Sequence, residues 1–453
     1  MENRNFVNMN VNPCKMCMPM GAALALKGIE KSIMFLHGSQ GCSTYIRRHI
    51  ATHFNEPVDI ASSSLTEKGT VYGGEDNLKI GLKNTIKLYN PDIIGIATTC
   101  LAETIGEDVD RISREFSEES GSEVKLVPIS TPGYGGSQYE GYYWTLRKIL
   151  EHVCEESPGN GFVNIIIGSM TPADIRKLKD ILDSFSLRYI LFPDISETLD
   201  GPTVKEYQKI PDGGTGLEEI KKMSGSTATI EFGRLLDPAI SPGKYLEDRY
   251  GVPLYSLPVP IGLENTNILI ETLAILSKNE PVCRLNAAKG RMLDGMIDSH
   301  KYNAEGRAAI FGQPELVYSV SKLCLENGII PAVIATGSSL NKFKGLINEN
   351  IEKCSYESVV VDDTDFEKIG EMVKEHDVNI LIGNSDGKFI KEKQGIPLVR
   401  IGFPIHDHIG AQRKVNIGYE GSLTFLDEIT NTLLDIKHDN YREDLYKEYY
   451  NKV

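Results

Sequence analysis

The chain has 453 residues, 41% of them hydrophobic and 25% charged, enough for two or three cores and too many for one. A formal net charge of −15 excludes the basic footprint that nucleic acid or an anionic membrane surface requires. No apolar run approaches the roughly 18 residues of a membrane span, and Met1–Asn5 leads into no apolar signal core, so a cytoplasmic protein is expected and its eight cysteines read as thiols or metal ligands in preference to disulfides.

In chain order, Asn12-Pro13-Cys14-Lys15-Met16-Cys17-Met18-Pro19-Met20-Gly21 is loop-like sequence punctuated by proline and glycine, and it carries Cys17. His37-Gly38-Ser39-Gln40-Gly41-Cys42 is a second such stretch and carries Cys42. The apolar run 92–97 predicts a buried parallel strand, with Cys100 just past its end. A cysteine at the carboxyl end of a strand stands on the side where α/β sheets bind ligands. Three such thiols in one N-terminal unit suit a soft metal or an iron–sulfur cluster. Separate buried thiols are the alternative, because free cysteine is among the most buried residue types. The spacing matches no compact ferredoxin run.

Further strands are predicted at 163–168, 307–312, 330–335, 378–383 and 396–401, with helices at 315–327 and 365–376 and a long one from about 283 to 300. Strand, glycine-rich turn and helix in repetition mean βαβ units and doubly wound, mainly parallel sheets. Turn clusters at Glu155–Gly161 and around Lys278–Pro281 divide the chain into three α/β domains: 1–155 with the three cysteines, 156–280 and 281–453. Gly312-Gln313-Pro314-Glu315 lacks a GxGxxG fingerprint and reads as an ordinary turn with proline at the helix start. No GxxxxGK[ST] is present, so a P-loop is excluded.

Taken together the motifs resemble the nitrogenase component 1 family and its cofactor-assembly relatives. The stretches that carry the resemblance are Asn12-Pro13 through Cys17 to Gly21-Ala22, His37 to Cys42, Tyr72-Gly73-Gly74, and Thr98 to Asp108 around Cys100. Thr131-Pro132, Phe192-Pro193-Asp194, Leu199-Asp200-Gly201, Gly383-Asn384-Ser385 and Gly402-Phe403-Pro404-Ile405 continue it in order along the chain. The resemblance implies three Rossmann-like domains and a β-type subunit, paired with a homologous α-type subunit in an α2β2 heterotetramer and served by the nitrogenase iron protein. It implies that Cys17, Cys42 and Cys100 bind an iron–sulfur cluster of four-iron or eight-iron type shared with that partner. Leu257–Glu264 and Ile405–Tyr419 look more like the NifN-type subunit of the assembly scaffold, in which the complex carries a transient iron–molybdenum cofactor precursor. Gly133 stands where catalytic β chains often carry a serine ligand, and points the same way. The expectation is therefore a β-like scaffold subunit, with the catalytic β chain or a nitrogenase-like reductase subunit as the alternative.

Other chemistry-bearing residues read as structural. Cys14 makes a Cys-x-x-Cys with Cys17, but no second pair follows to build a zinc site. Cys154, Cys283, Cys324 and Cys354 are read as structural or incidental. His37 is expected to be a hydrogen-bonded core histidine, His406 and His408 a surface or subunit contact, and Glu103, Glu107 and Asp108 the acidic first turn of a helix.

Overall fold

The computed structural model describes residues 12–354 and 356–449. Thirteen named strands lie in three sheets. The first sheet has the order β2-β1-β3-β4, from β1 (Ser32–His37), β2 (Ile60–Ser62), β3 (Ile93–Thr98) and β4 (Lys125–Ile129). The second has the order β6-β5-β7-β8, from β5 (Val163–Ile166), β6 (Tyr189–Phe192), β7 (Ala228–Phe232) and β8 (Leu254–Leu257). The third has the order β11-β10-β9-β12-β13, from β9 (Arg307–Gly312), β10 (Ile330–Thr336), β11 (Val359–Val361), β12 (Ile380–Gly383) and β13 (Leu398–Arg400).

Every strand pair is parallel. This is the expected α/β class. Parallel strands joined by helical crossovers are covered on both faces, so the central ones need unbroken apolar sequence. Ser32-Ile-Met-Phe-Leu-His37 and Ile93-Ile-Gly-Ile-Ala-Thr98 are accordingly buried along their whole length. Each sheet also has a point where the strand order reverses: between β1 and β3, between β5 and β7, and between β9 and β12. No helix among the described residues is long and apolar enough to cross a membrane.

Two helices run unusually close. Helix Met18–Lys27 packs on helix Gln138–Val153 through facing glycines. A Cβ at Gly21 would stand 2.0 Å from the Gln138 carbonyl oxygen, and one at Gly141 would stand 2.2 Å from the Met18 carbonyl oxygen. Only glycine permits that approach. The segment before the first of these helices belongs to the third sheet by contact. Cys14 N–H donates to Thr364 O (3.1 Å), Phe366 N–H donates to Asn12 O (3.0 Å), and Lys15 pairs with Asp363 (2.8 Å).

Glu315 ties all three units together. It opens the helix Pro314–Glu326 after β9, with Pro314 at the helix start as the sequence predicts. Its Oε1 accepts from the Tyr139 hydroxyl (2.8 Å) and from Leu235 N–H (2.7 Å), while Oε2 is buried without a partner. Burial pushes the Glu315 carboxyl up to about 7. The folded chain thus binds this proton more tightly than the unfolded chain. The resulting stability is fully present below the ordinary value of 4.5 and is lost as pH rises through about 7. The loss is on the order of 3 kcal/mol. Glu315→Gln keeps an acceptor for both donors and removes the titration. Its denaturation midpoint is expected to match wild type at pH 4.5, to exceed it by a margin that grows up to about pH 7 and to keep that margin above it; parallel midpoints between pH 4.5 and 7 would refute the assignment.

Candidate metal centre

The three cysteines reach one place by three routes. β1 ends in His37 and turns through Gly38, where a Cβ would stand 1.9 Å from Thr99 Oγ1. Ser39 then caps helix Gln40–Phe54, its Oγ accepting from Gly41 N–H (3.2 Å), and Cys42 lies in the first turn. β3 ends at Thr98, and Cys100 opens the short helix Cys100–Thr104. Cys17 is itself the N-cap of helix Met18–Lys27, with Pro19 in the first turn. The strands that deliver Cys42 and Cys100 are neighbours on either side of the reversal point of the first sheet. That carboxyl-edge crevice is where open α/β sheets bind ligands.

Gly133, beyond β4, sits between two of the thiols. Its N–H donates to Cys100 Sγ (3.1 Å), and a Cβ there would lie 3.1 Å from that sulfur and 3.4 Å from Cys17 Cβ. The thiols also feel one another. Burial, and then the neighbouring Cys42 and Cys100, push the Cys17 thiol up; burial and then Cys100 do the same to Cys42. Helix N-termini favour negative charge at all three positions. Cys42 and Cys100 are exposed and Cys17 is half-buried, so the crevice opens outward. Tyr45, one turn past Cys42, and Tyr134, next to Gly133, are 47% and 68% exposed.

Among the described residues, no group of three or more His, Cys, Asp or Glu side chains is set to hold a metal ion. The crevice brings three soft thiols near one another, with no fourth ligating side chain beside them among the described residues. Such a set suits a sulfide-bridged cluster with room for ligands from elsewhere, and does not suit a closed zinc site.

The surrounding residues fix this frame. His37 is fully buried; its Nδ1 lies 3.0 Å from Ser63 Oγ, and its Nε2 faces Glu107 Oε2 at 3.7 Å. Burial, opposed by Glu107, holds its imidazole below the usual value. Of the three acidic residues after Cys100, only Asp108 caps a helix, accepting from Arg111 N–H (3.0 Å). Glu107 turns inward and accepts from Gly74 N–H (2.5 Å). Glu103 accepts from the hydroxyls of Thr98 (2.5 Å) and Ser130 (2.6 Å). Sequence spacing gives no signal for the bonds to Gly74 and Ser130, which lie 33 and 27 residues away in other turns.

The remaining cysteines stay apart. Cys14 is buried in the core of the third sheet, and burial pushes its thiol up to about 12. Cys324 is buried likewise, Cys154 is half-buried, and Cys283 and Cys354 are exposed. His406 and His408 are exposed, while Asp407 between them is taken by Arg400 (2.7 and 2.9 Å). A separate cavity of about 80 Å³ lies where the carboxyl edges of the second and third sheets meet, and no cysteine lines it.

The fold and the crevice define an α/β protein of three parallel sheets. Residues 17–434 match the family described as nitrogenase component 1 type oxidoreductase. The chain is 37% identical over 432 residues to the nitrogenase molybdenum–iron protein beta chain of Clostridium pasteurianum, covering 94% of each chain. It is 35% identical over 442 residues to the beta chain of the same name from Methanococcus maripaludis, again covering 94% of each. Among solved structures, a chain of nitrogenase Cp1 at pH 6.5 superposes with a TM-score of 0.91 at 36% identity, over 95% of this chain and 94% of that one. The chain belongs to the nitrogenase component 1 family.

Exposure orders the thiols for a labelling experiment. In the isolated chain near neutral pH, iodoacetamide should modify the exposed Cys42, Cys100, Cys283 and Cys354 first, Cys17 and Cys154 more slowly, and Cys14 and Cys324 only on unfolding. Mass-spectrometric mapping that finds Cys14 as reactive as Cys42 would contradict this placement.

Proposed function

We propose that this chain is the β-type subunit of a nitrogenase component 1 complex, and that Cys17, Cys42 and Cys100 hold one side of an iron–sulfur cluster shared with a homologous α-type subunit in an α2β2 assembly. The observation that carries this reading is the convergence of three thiols, from three helix N-termini, on one outward-opening crevice. A cluster bound there supplies electron transfer. The chain's own residues orient it: the helix N-termini offset thiolate charge, and Gly133 N–H hydrogen-bonds the Cys100 sulfur and so tunes it. Tyr45 and Tyr134 offer the partner apolar surface beside the open sulfurs. The iron protein is the expected transient electron donor, in the cytoplasm.

The named relatives are catalytic beta chains, which favours the catalytic reading. One observation favours the scaffold reading of NifN type: Gly133 offers a backbone N–H beside Cys100 and no side-chain oxygen. In that reading the iron–molybdenum cofactor precursor sits on the partner subunit, because the cavity of this chain has no thiolate to hold it.

Two measurements test the proposal. Cys42→Ala should lower iron and acid-labile sulfide in the purified complex and change its electron-paramagnetic spectrum, since a soft site loses a thiolate; unchanged iron content and spectrum would remove the cluster assignment. In an extract lacking this polypeptide, substrate reduction should return only when the polypeptide itself is supplied. Rescue by isolated cofactor alone would select the scaffold reading.

A further inference from the structure

The cavity between the second and third sheets takes no part in the cluster site. Its walls are carboxyl ends of strands: Ser169 and Thr171 follow β5, Gln313 and Leu316 follow β9, and Phe403 follows β13. β5 and β9 each border the reversal point of their sheet, so two ligand-binding edges face each other here. The roof comes from the first unit, through the tyrosines of helix Gln138–Val153 and through His53 and Phe54 at the end of helix Gln40–Phe54.

The polar groups around it divide into spent and unspent. Tyr142 donates to Ile167 O (3.0 Å), Tyr143 to Phe232 O (2.5 Å) and Tyr139 to Glu315. Asp174 accepts from the N–H groups of Asn416 (2.6 Å) and Thr171 (3.0 Å). Two donors remain. His53 is 3% exposed and its Nδ1 accepts from Ile405 N–H (2.8 Å), which puts the ring proton on Nε2, where no protein group receives it. Gln138 is 5% exposed and its Oε1 accepts from Met16 N–H (2.6 Å), leaving its amide NH2 without a partner. Neither donor atom is sealed within protein, and both residues line the cavity, so the two donors are open to an acceptor from outside the chain.

The lining also says what that acceptor is not. No lysine or arginine lines the cavity to balance an anion, and no cysteine lines it to ligate a soft metal. Aromatic faces of Phe54, Tyr142 and Phe403 suit a flat apolar body. We propose that this cavity binds a small neutral molecule, a five-membered heterocycle or short amide, whose acceptor atom takes hydrogen bonds from His53 and Gln138. At roughly 15 Å³ for each water-sized group, the space holds about five non-hydrogen atoms. Ser169, Thr171, Gln313 and Gly402 are half-exposed and mark the way in.

Thiazole and thiophene separate the hydrogen bond from the shape. Both are neutral five-membered rings, and only thiazole carries an acceptor nitrogen. Titrated by saturation-transfer NMR into the protein as purified from its host, thiazole should saturate at a Kd between micromolar and millimolar, the range open to so small a ligand. Thiophene should bind at least tenfold more weakly. Leu24→Trp, at a half-exposed lining position, should abolish thiazole saturation while leaving iron content unchanged. Equal binding of the two rings, no saturation by thiazole, thiazole binding unaffected by Leu24→Trp, or soaked crystals showing only water in the cavity would each overturn the proposal. The comparison of the two rings in the unaltered protein does not depend on how the variant folds.

Discussion

Backbone contact between helix Met18–Lys27 and helix Gln138–Val153 is the constraint on which the rest depends. Gly21 and Gly141 let the two helices meet with carbonyl oxygens where side chains would otherwise stand. That meeting fixes the N-terminus of the first helix and therefore Cys17, its N-cap. It fixes Gln138 and Tyr139 too, which reach Met16 and Glu315. Upstream, the segment carrying Cys14 is sewn to the third sheet, and Gly337 lies so close that a Cβ would stand 2.3 Å from Cys14 O. Ser137 and Ser338 close the same seam through their hydroxyls (2.7 Å). Cys17 is thus presented to the first sheet by a segment held on the third, and its position reports the docking of both.

Electrostatics explains why such a site faces outward. Burial and mutual repulsion both raise the thiols of Cys17 and Cys42, so the chain alone favours neutral sulfurs there. A cationic cluster reverses that preference, because its charge offsets the thiolates that burial and proximity penalise. The helix N-termini contribute in the same direction but fall off within one turn. Cys14 and Cys324 lack any such compensation, and their thiols stay protonated in apolar surroundings.

The parallel α/β class was legible because buried parallel strands are written as unbroken apolar runs: 92–97 appears as Ile93–Thr98, 307–312 as Arg307–Gly312 and 330–335 as Ile330–Thr336. Strands predicted at 163–168 and 396–401 are shorter, Val163–Ile166 and Leu398–Arg400. β2 and β11 escape a sequence reading because three half-buried residues at a sheet edge carry no period. The cysteines were legible from their turn residues and from their place past strand ends. The seam between Cys14 and Thr364, the inward turn of Glu107 and the docking of His53 on Ile405 were not, since each joins residues far apart in the chain by one backbone or side-chain bond.

The loops beneath Cys100 are held as firmly as a strand. Thr131 N–H donates to Thr98 Oγ1 (2.9 Å), Thr131 Oγ1 donates to Thr98 O (2.9 Å), and Glu103 gathers the hydroxyls of Thr98 and Ser130. These bonds lock the ends of β3 and β4 together and leave Gly133 N–H aimed at the Cys100 sulfur. On the other side, Ser63 Oγ accepts from Gly38 N–H (2.9 Å) and meets His37, so the turn into the Cys42 helix is fixed by buried groups. A crevice built this way does not have to close around its ligand. Its thiols are set by the chain's own hydrogen bonds, and on the proposed reading the groups that complete the coordination arrive from a surface that fits over the open sulfurs. Preorganisation of this kind lowers the entropic cost of association and makes the fit of that second surface the step that decides whether a cluster is retained.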